Sequence, residues 1–256
     1  MATKIADARQ DENGKARGGQ AGDQSGKEIL VHDWYLRDGG WDVYLECTDE
    51  GMALEASNNM IRMANDNSFG YDQDQRWTAE DAILAAGGNI EAAAASETDC
   101  SAAVLTSYRL TGLKVARGYT GNLESLLLAT GKFVAHREAK YLASGNYAKI
   151  GGLYLTAGKH VAMVVTNGSK AETSESASGG EAEEINAGVP YVLVVGGSVY
   201  VREGGSTAFD WITTVHRDDK LPYLGKDAAT GWYQVVTDRG IGFISCKTKL
   251  TRLVTK

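Results

Sequence analysis

The sequence predicts an α+β domain built on an antiparallel sheet, followed by a small all-β barrel. Three observations carry this reading. The stretch NGSKAETSESASGGEAEEINAG, Asn167 to Gly188, is rich in Ser, Gly, Ala and Glu and has almost nothing to bury. Such a composition cannot offset its ordering entropy and reads as a flexible, mildly acidic linker. Upstream of it, helix-period segments are followed by strand-like runs, the order expected of an α+β domain. Downstream, only short strands and glycine-marked turns occur, at the regular spacing of a small barrel. The predicted organisation is therefore a first domain over 1–166, a linker over 167–188 and a second domain over 189–256, with residues 1–17 poorly ordered.

Taken in order, ILVHDWYL (Ile29 to Leu36) and WDVYLEC (Trp41 to Cys47) are rich in β-branched and aromatic residues and flank a Gly-Gly pair. They read as a hairpin-like pair of strands. Ala53, Ala56, Met60, Met63 and Ala64 fall at helical spacing, which predicts an amphipathic helix from Asp49 to Asn65. Thr78 and Asp81 start a second helix, TAEDAILAA, stopped by Gly87-Gly88. Cys100 to Leu110 makes a third, and Asn122 to Thr130 a fourth, capped by Asn122 with Gly131 just past its end. The strands GGLYLT and HVAMVVT (His160 to Thr166) then close the first domain. In the second domain YVLVVG, VYVREG, WITTVHR, KLPYLGK, GWYQVVT, IGFISC and KLTRLV are the strands, with Trp232, Tyr233 and Phe243 supplying most of the aromatic packing.

Bulk properties exclude several function classes. The net charge of −7 provides no basic stripe for nucleic acid. No apolar run approaches the roughly 20 residues that span a bilayer. The N-terminal MATKIADARQDENGKARGGQ lacks the apolar core of a secretory signal, so the chain is expected to be made in the cytoplasm. Cys47, Cys100 and Cys246 are too scattered for a disulfide framework or a zinc site, and no phosphate-binding glycine motif follows a strand. No metal or cofactor is expected.

One short stretch carries chemistry. In SETDCSAAVLTSYRLTG, Cys100 follows a polar turn and opens a helix, where free N–H groups and the helix dipole favour a thiolate. The same position suits a small buried core residue, and the residues alone leave both readings open. His160 opens a strand at the rim of the sheet, where it either faces a cleft as a base or ends a loop. His32, His136 and His216 read as structural or surface residues, and Cys47 and Cys246 as strand packing.

SETDCSAAV, followed about 60 residues later by GKHVAMVV, resembles the papain-like, NlpC-type cell-wall cysteine peptidases. GGQAGDQSGKEI, HDWYLRDGGWDVYLEC, FGYDQDQRWT, GYTGN and ATGKF, in order between Gly18 and Asn167, resemble phage and prophage endolysins of that type. VLVVGGSVYVREGGS and LPYLGKDAATGWYQVVTDRGIGFIS resemble bacterial SH3-like cell-wall-binding domains. The resemblance implies an α+β papain-like (NlpC-type) catalytic domain with an antiparallel sheet, plus an SH3-like barrel that targets peptidoglycan. It implies Cys100 as nucleophile and His160 as base. The family usually takes an orienting polar residue from the strand after His-Val, which here runs into the linker. Asp23 or Gln24 of AGDQ is the alternative source, and the same segment reads equally as a hydrogen-bonded turn. Tyr71 is expected to line the substrate groove or else to be a half-buried core tyrosine. Asp99 reads foremost as a helix cap and joins Ser101 and Tyr71 in the candidate substrate-binding set.

The activity so implied is hydrolysis of a peptidoglycan amide without a cofactor, at the link from D-glutamate to diaminopimelate or lysine. The alternatives are the muramoyl–L-alanine amide, or a non-catalytic wall-binding protein in which Cys100 is core. Peptidoglycan is the expected partner, with no nucleic acid and no membrane insertion. Access to the wall would follow holin-type release or an equivalent route.

Overall fold

The computed structural model describes residues 3–171, 190–227, 229–237 and 240–255. The chain divides into two compact units, residues 1–173 and 174–256. Most of the expected linker, 172–188, lies outside the described residues. Its first part does not behave as a linker. Asn167 accepts a hydrogen bond from the Ile150 N–H at 2.8 Å, and the Gly168 and Lys170 N–H groups donate to Ala148 and Asn146. At Gly168 a Cβ would fall 2.2 Å from the Gly145 carbonyl oxygen, so only glycine permits this close docking.

The first unit is built on a six-stranded antiparallel sheet. Its strands are β1 (Lys4–Ala8), β2 (Ile29–Asp33), β3 (Val43–Cys47), β6 (Phe133–His136), β7 (Leu153–Thr156) and β8 (His160–Val164), in the order β2-β1-β8-β7-β3-β6. Two short strands, β4 (Phe69–Tyr71) and β5 (Ser96–Thr98), form a separate parallel pair. Five helices complete the unit: α1 (Glu50–Ala64), α2 (Thr78–Ala85), α3 (Cys100–Leu110), α4 (Leu123–Leu128) and α5 (Ala139–Leu142).

Three expectations need correction. Residues 4–8 are ordered as β1, which lies inside the sheet between β2 and β8 and buries Ile5, Ala6, Asp7 and Ala8. The two aromatic strands do not form a hairpin, because β1, β8 and β7 intervene between β2 and β3. Helices and strands interleave along the chain instead of falling into two blocks. The three-residue β4 and β5, the four-residue β6 and the one-turn α5 carry too few residues for a periodic signal, and β1 has few strand-forming residues, so none of these was expected.

Packing explains the arrangement. Ile5, Trp41, Tyr44, Tyr154, Ala162 and Val164 form one buried cluster, joined by Trp34 and Tyr35. The α3 helix packs against β8, β1 and α1. Buried Glu80 of α2 pairs with Arg109 of α3 and, at 2.7 Å, with Arg117. Cys47 ends β3 and is buried; Cys246 lies beyond the last residue of its strand and is only half-buried.

The second unit contains β9 (Tyr191–Val194), β10 (Ser198–Arg202), β11 (Trp211–His216), β12 (Lys220–Lys226), β13 (Tyr233–Thr237), β14 (Gly240–Ile244) and β15 (Thr251–Val254). They pair antiparallel in the order β11-β10-β14-β13-β12-β9-β15. The core is aliphatic, with Val192, Val194, Val199, Val201, Val235 and Ile244 at its centre. Tyr233, as expected, packs against it together with Tyr223, while Trp232 and Phe243 are only half-buried. Alternation explains part of the aliphatic core: in β10 the inward positions are Val199 and Val201, between exposed Ser198 and Tyr200 and half-buried Arg202.

Candidate active site

Short-range structure sets the position of Cys100. β5 pairs with β4, Tyr71 opposite Thr98, and hands the chain to Asp99 in extended conformation. Asp99 Oδ1 accepts from the Ala102 N–H and the Ser101 hydroxyl, both at 2.7 Å, and Oδ2 pairs with Arg76 at 2.7 Å. This is an N-cap reinforced by an ion pair, and it starts α3 at Cys100. The carboxylate and the Ser101 hydroxyl are consumed by it. Asp99 and Ser101 are thus buried parts of the helix start, which corrects their place in the substrate-binding set.

Cys100 is 5% exposed, and its sulfur lies against the backbone N–H groups of Val161 and Ser101. Burial pushes its pKa up to about 12, the charges of Asp99 and Asp7 add to that, and the two N–H groups oppose it. The resting group is a neutral thiol. Val161 follows His160 directly, so the start of α3 meets the start of β8, as the contact between the two elements requires.

His160 is held from the sheet. Its Nε2 lies 2.9 Å from Asp7 Oδ2, and the Trp41 ring stacks beside the imidazole. The register explains the contact: Ile5 faces Val164 and Ala6 faces Met163 across β1 and β8. Continuing it places Asp7 diagonal to His160 on the same face, within reach of a long side chain. On the other side of β1, His32 occupies the equivalent diagonal, with Nε2 3.1 Å from Asp7 Oδ1. Arg9 Nε donates to the same oxygen at 2.7 Å. Burial alone would raise the Asp7 carboxyl; the hydrogen bonds from His160, His32 and Arg9 overcome it and hold the group well below the usual carboxylate range. An ionised Asp7 accepting from Nε2 assigns the N–H tautomer there and leaves Nδ1 as the basic atom of His160.

A family model described as an endolysin-like domain matches residues 5–171, which begins inside β1 and takes in Asp7, Cys100 and His160. The chain belongs to the endolysin-like domain family. That membership assigns a cell-wall-lytic function in general terms, with peptidoglycan as the substrate. No curated protein matches the chain closely enough to add to it. Among the described residues, no helix is long and apolar enough to cross a membrane.

In the endolysin-like domain the AGDQ segment is a support, not the orienting group. Asp23 Oδ1 accepts from the N–H groups of Ser25, Gly26 and Lys27, and Oδ2 from Glu28. Gln24 donates from its backbone to Glu28 and from its side chain to Ala21. Glu28 in turn accepts from the Tyr71 N–H at 2.9 Å. The loop therefore braces β4, and Asp23 and Gln24 are corrected to structural residues. The turn reading of this segment is the one observed.

Tyr71 is buried, 3% exposed, with its hydroxyl accepting from Gln73 at 3.1 Å; it is neither half-buried nor open to a groove. Burial pushes its pKa up to about 12, so the phenol stays neutral. His136 bonds to Glu46 and stacks on Tyr141, and His216 bonds to Ser198, both remote in role from the thiol. His32 is corrected from a structural residue to a partner of Asp7. Sequence reading missed Asp7, Arg9, Tyr35 and Trp41. The available signal was weak: an acid flanked by small apolar residues in KIADA, paired to a histidine 153 residues away.

Proposed function

We propose that this chain is a cysteine-dependent peptidoglycan amidohydrolase of the stem peptide, with Cys100 as nucleophile, His160 as general base and Asp7 as the positioning residue. The observation that supports it best is the meeting of three elements: the capped start of α3 with Cys100, the start of β8 with His160, and Asp7 of β1 bonded to His160 Nε2.

The chemistry follows from the protonation states. The thiol is neutral at rest, so the proton must leave as the substrate engages. His160 Nδ1 takes it, sulfur attacks the amide carbonyl carbon, and the C–N bond breaks as the same proton passes to the leaving amine. The backbone N–H groups at the start of α3, beyond the one that Asp99 occupies, are the donors for the oxyanion. Water then cleaves the thioester, with His160 again as base. The bond most in keeping with the resemblance joins D-glutamate to diaminopimelate or lysine. The 190–255 unit, an antiparallel sheet with a valine core, serves as the SH3-like wall-binding module.

Digestion of purified walls tests the reading. Mass spectrometry of the released fragments should show new stem-peptide ends with wild-type protein and none with Cys100→Ala. Fragments released at wild-type rate by Cys100→Ala would sink the cysteine mechanism.

A further inference from the structure

Beside His160 the surface opens into a cleft of about 440 Å³ lined by Arg9, His32, Asp33, Tyr35, Arg37 and His160. It is shallow and widely open to solvent, a shape for one end of an extended peptide rather than for an enclosed ligand. The charges of its walls are unequal in their freedom. Arg9 is occupied: Nε bonds to Asp7, and its guanidinium lies 5.3 Å over the Tyr35 ring. Asp33 is the one acid among the lining residues, and it is exposed and paired with Lys4 at 3.1 Å. Arg37 is different. It is half-buried, and among the described residues no hydrogen bond or ion pair engages its guanidinium. The Tyr35 hydroxyl also lacks a hydrogen-bond partner there.

A half-buried guanidinium has lost hydration without gaining an anion, and its planar fork matches a carboxylate in two parallel bonds. We infer that this cleft is a carboxylate-binding subsite, in which Arg37 and Tyr35 hold a free carboxylate of the stem peptide next to the scissile amide. His160 forms one wall of the cleft, so a group bound there lies beside the proposed base. The inference rests on the hydrolase reading and adds what the site selects. Two carboxylates of the stem have this chemistry: the α-carboxylate of an isoglutamyl residue and the terminal carboxylate of the peptide.

Soluble muropeptides in matched pairs test it with the full chain. One pair carries the isoglutamyl α-carboxylate free or amidated, and the other carries the terminal carboxylate free or amidated. Wild-type protein should show a KM about tenfold lower for the free form of one pair, the value expected for one charge-assisted contact. That pair names the source. Arg37→Gln should erase the preference by raising KM for the free form, with kcat held, and Arg37→Lys should restore part of it. Equal KM for free and amidated forms in both pairs, with cleavage intact, would overturn the subsite alone. No cleavage of any muropeptide, and no new peptide ends in whole walls, would remove the hydrolase reading and the subsite with it. A circular-dichroism melt matching wild type confirms that each variant is folded.

Discussion

At the scale of single residues, the state of Cys100 determines how the site must behave. A thiol whose pKa is pushed up to about 12 should react slowly with iodoacetamide at neutral pH. Its alkylation rate, followed by mass spectrometry of the Cys100 peptide, should keep rising with pH through 9 or so without a plateau. A plateau near neutrality would show a resident thiolate and contradict the burial. Asp7 makes a second prediction. Asp7→Asn keeps the size of the side chain but loses the charge that fixes the His160 tautomer, so kcat should fall on the order of 10²–10⁴-fold, the usual worth of acid–base catalysis. Stability gives an independent readout. The Asp7 carboxyl is held below its ordinary value of 3.8 in the fold, so the ionised group stabilises the protein above that pH and the contribution is lost as pH falls below it. Urea melts of Asp7→Asn should therefore lack the part of the acid loss below about pH 4 that wild type shows. The helix start at Cys100 and the strand start at His160 were legible in the local pattern, whereas their catalytic roles came only from the resemblance. Asp7 was not legible, because four of the five residues of KIADA are small or polar with little strand propensity, and only pairing with β8 far along the chain gives it a role.

At the scale of elements, helices α1 and α3 lie within a residue of where their periodicity and caps put them, since both signals are local. Sheet order was illegible, because β1 joins the first residues of the chain to its far strands and no local pattern encodes such a partner. The β4–β5 pair shows a further cost of non-local packing. At Gly70 a Cβ would fall 2.2 Å from the Gly22 carbonyl oxygen, so the AGDQ loop lies directly on β4. Beneath it Glu97 is 1% exposed with both carboxylate oxygens unpartnered. Burial, followed by the charges of Glu28, Asp72, Glu12 and Asp11, pushes its pKa up to about 8. The sign follows: the unfolded chain releases this proton near 4.5 and the folded chain holds it to about 8, so ionisation opposes folding progressively between those values. Glu97→Gln removes the ionisation and should accordingly stabilise the first unit at pH 8 while changing little at pH 4. Chemical denaturation at the two pH values reads this directly. Equal effects at both would place the proton elsewhere.

At the scale of the whole molecule, the two units have separate cores. The family match ends at residue 171, within the segment that docks back through Asn167, Gly168 and Lys170. A truncation must therefore keep that segment: a chain of residues 1–173 retains β8, its bracing contacts and the Asp7–His160 pair, whereas one ending at 166 removes the Asn167 and Gly168 contacts to the chain before β7. The longer fragment should cleave soluble muropeptides at the rate of the full chain. Under the proposed function it should be slower on intact walls, because a wall-binding second unit would raise the enzyme's effective concentration at the wall. The net charge of −7 sharpens the contrast. Walls rich in anionic polymers repel such a chain weakly, so diffuse attraction does not replace specific binding, and added salt should not slow the full-length protein as it would a cationic one. Turbidity assays on sacculi at low and high salt, run beside muropeptide hydrolysis, separate the two functions. If residues 1–173 clear intact walls as fast as the full chain, the 190–255 unit is not the targeting device; if they also lose muropeptide cleavage while remaining folded, the second unit contributes to the chemistry itself.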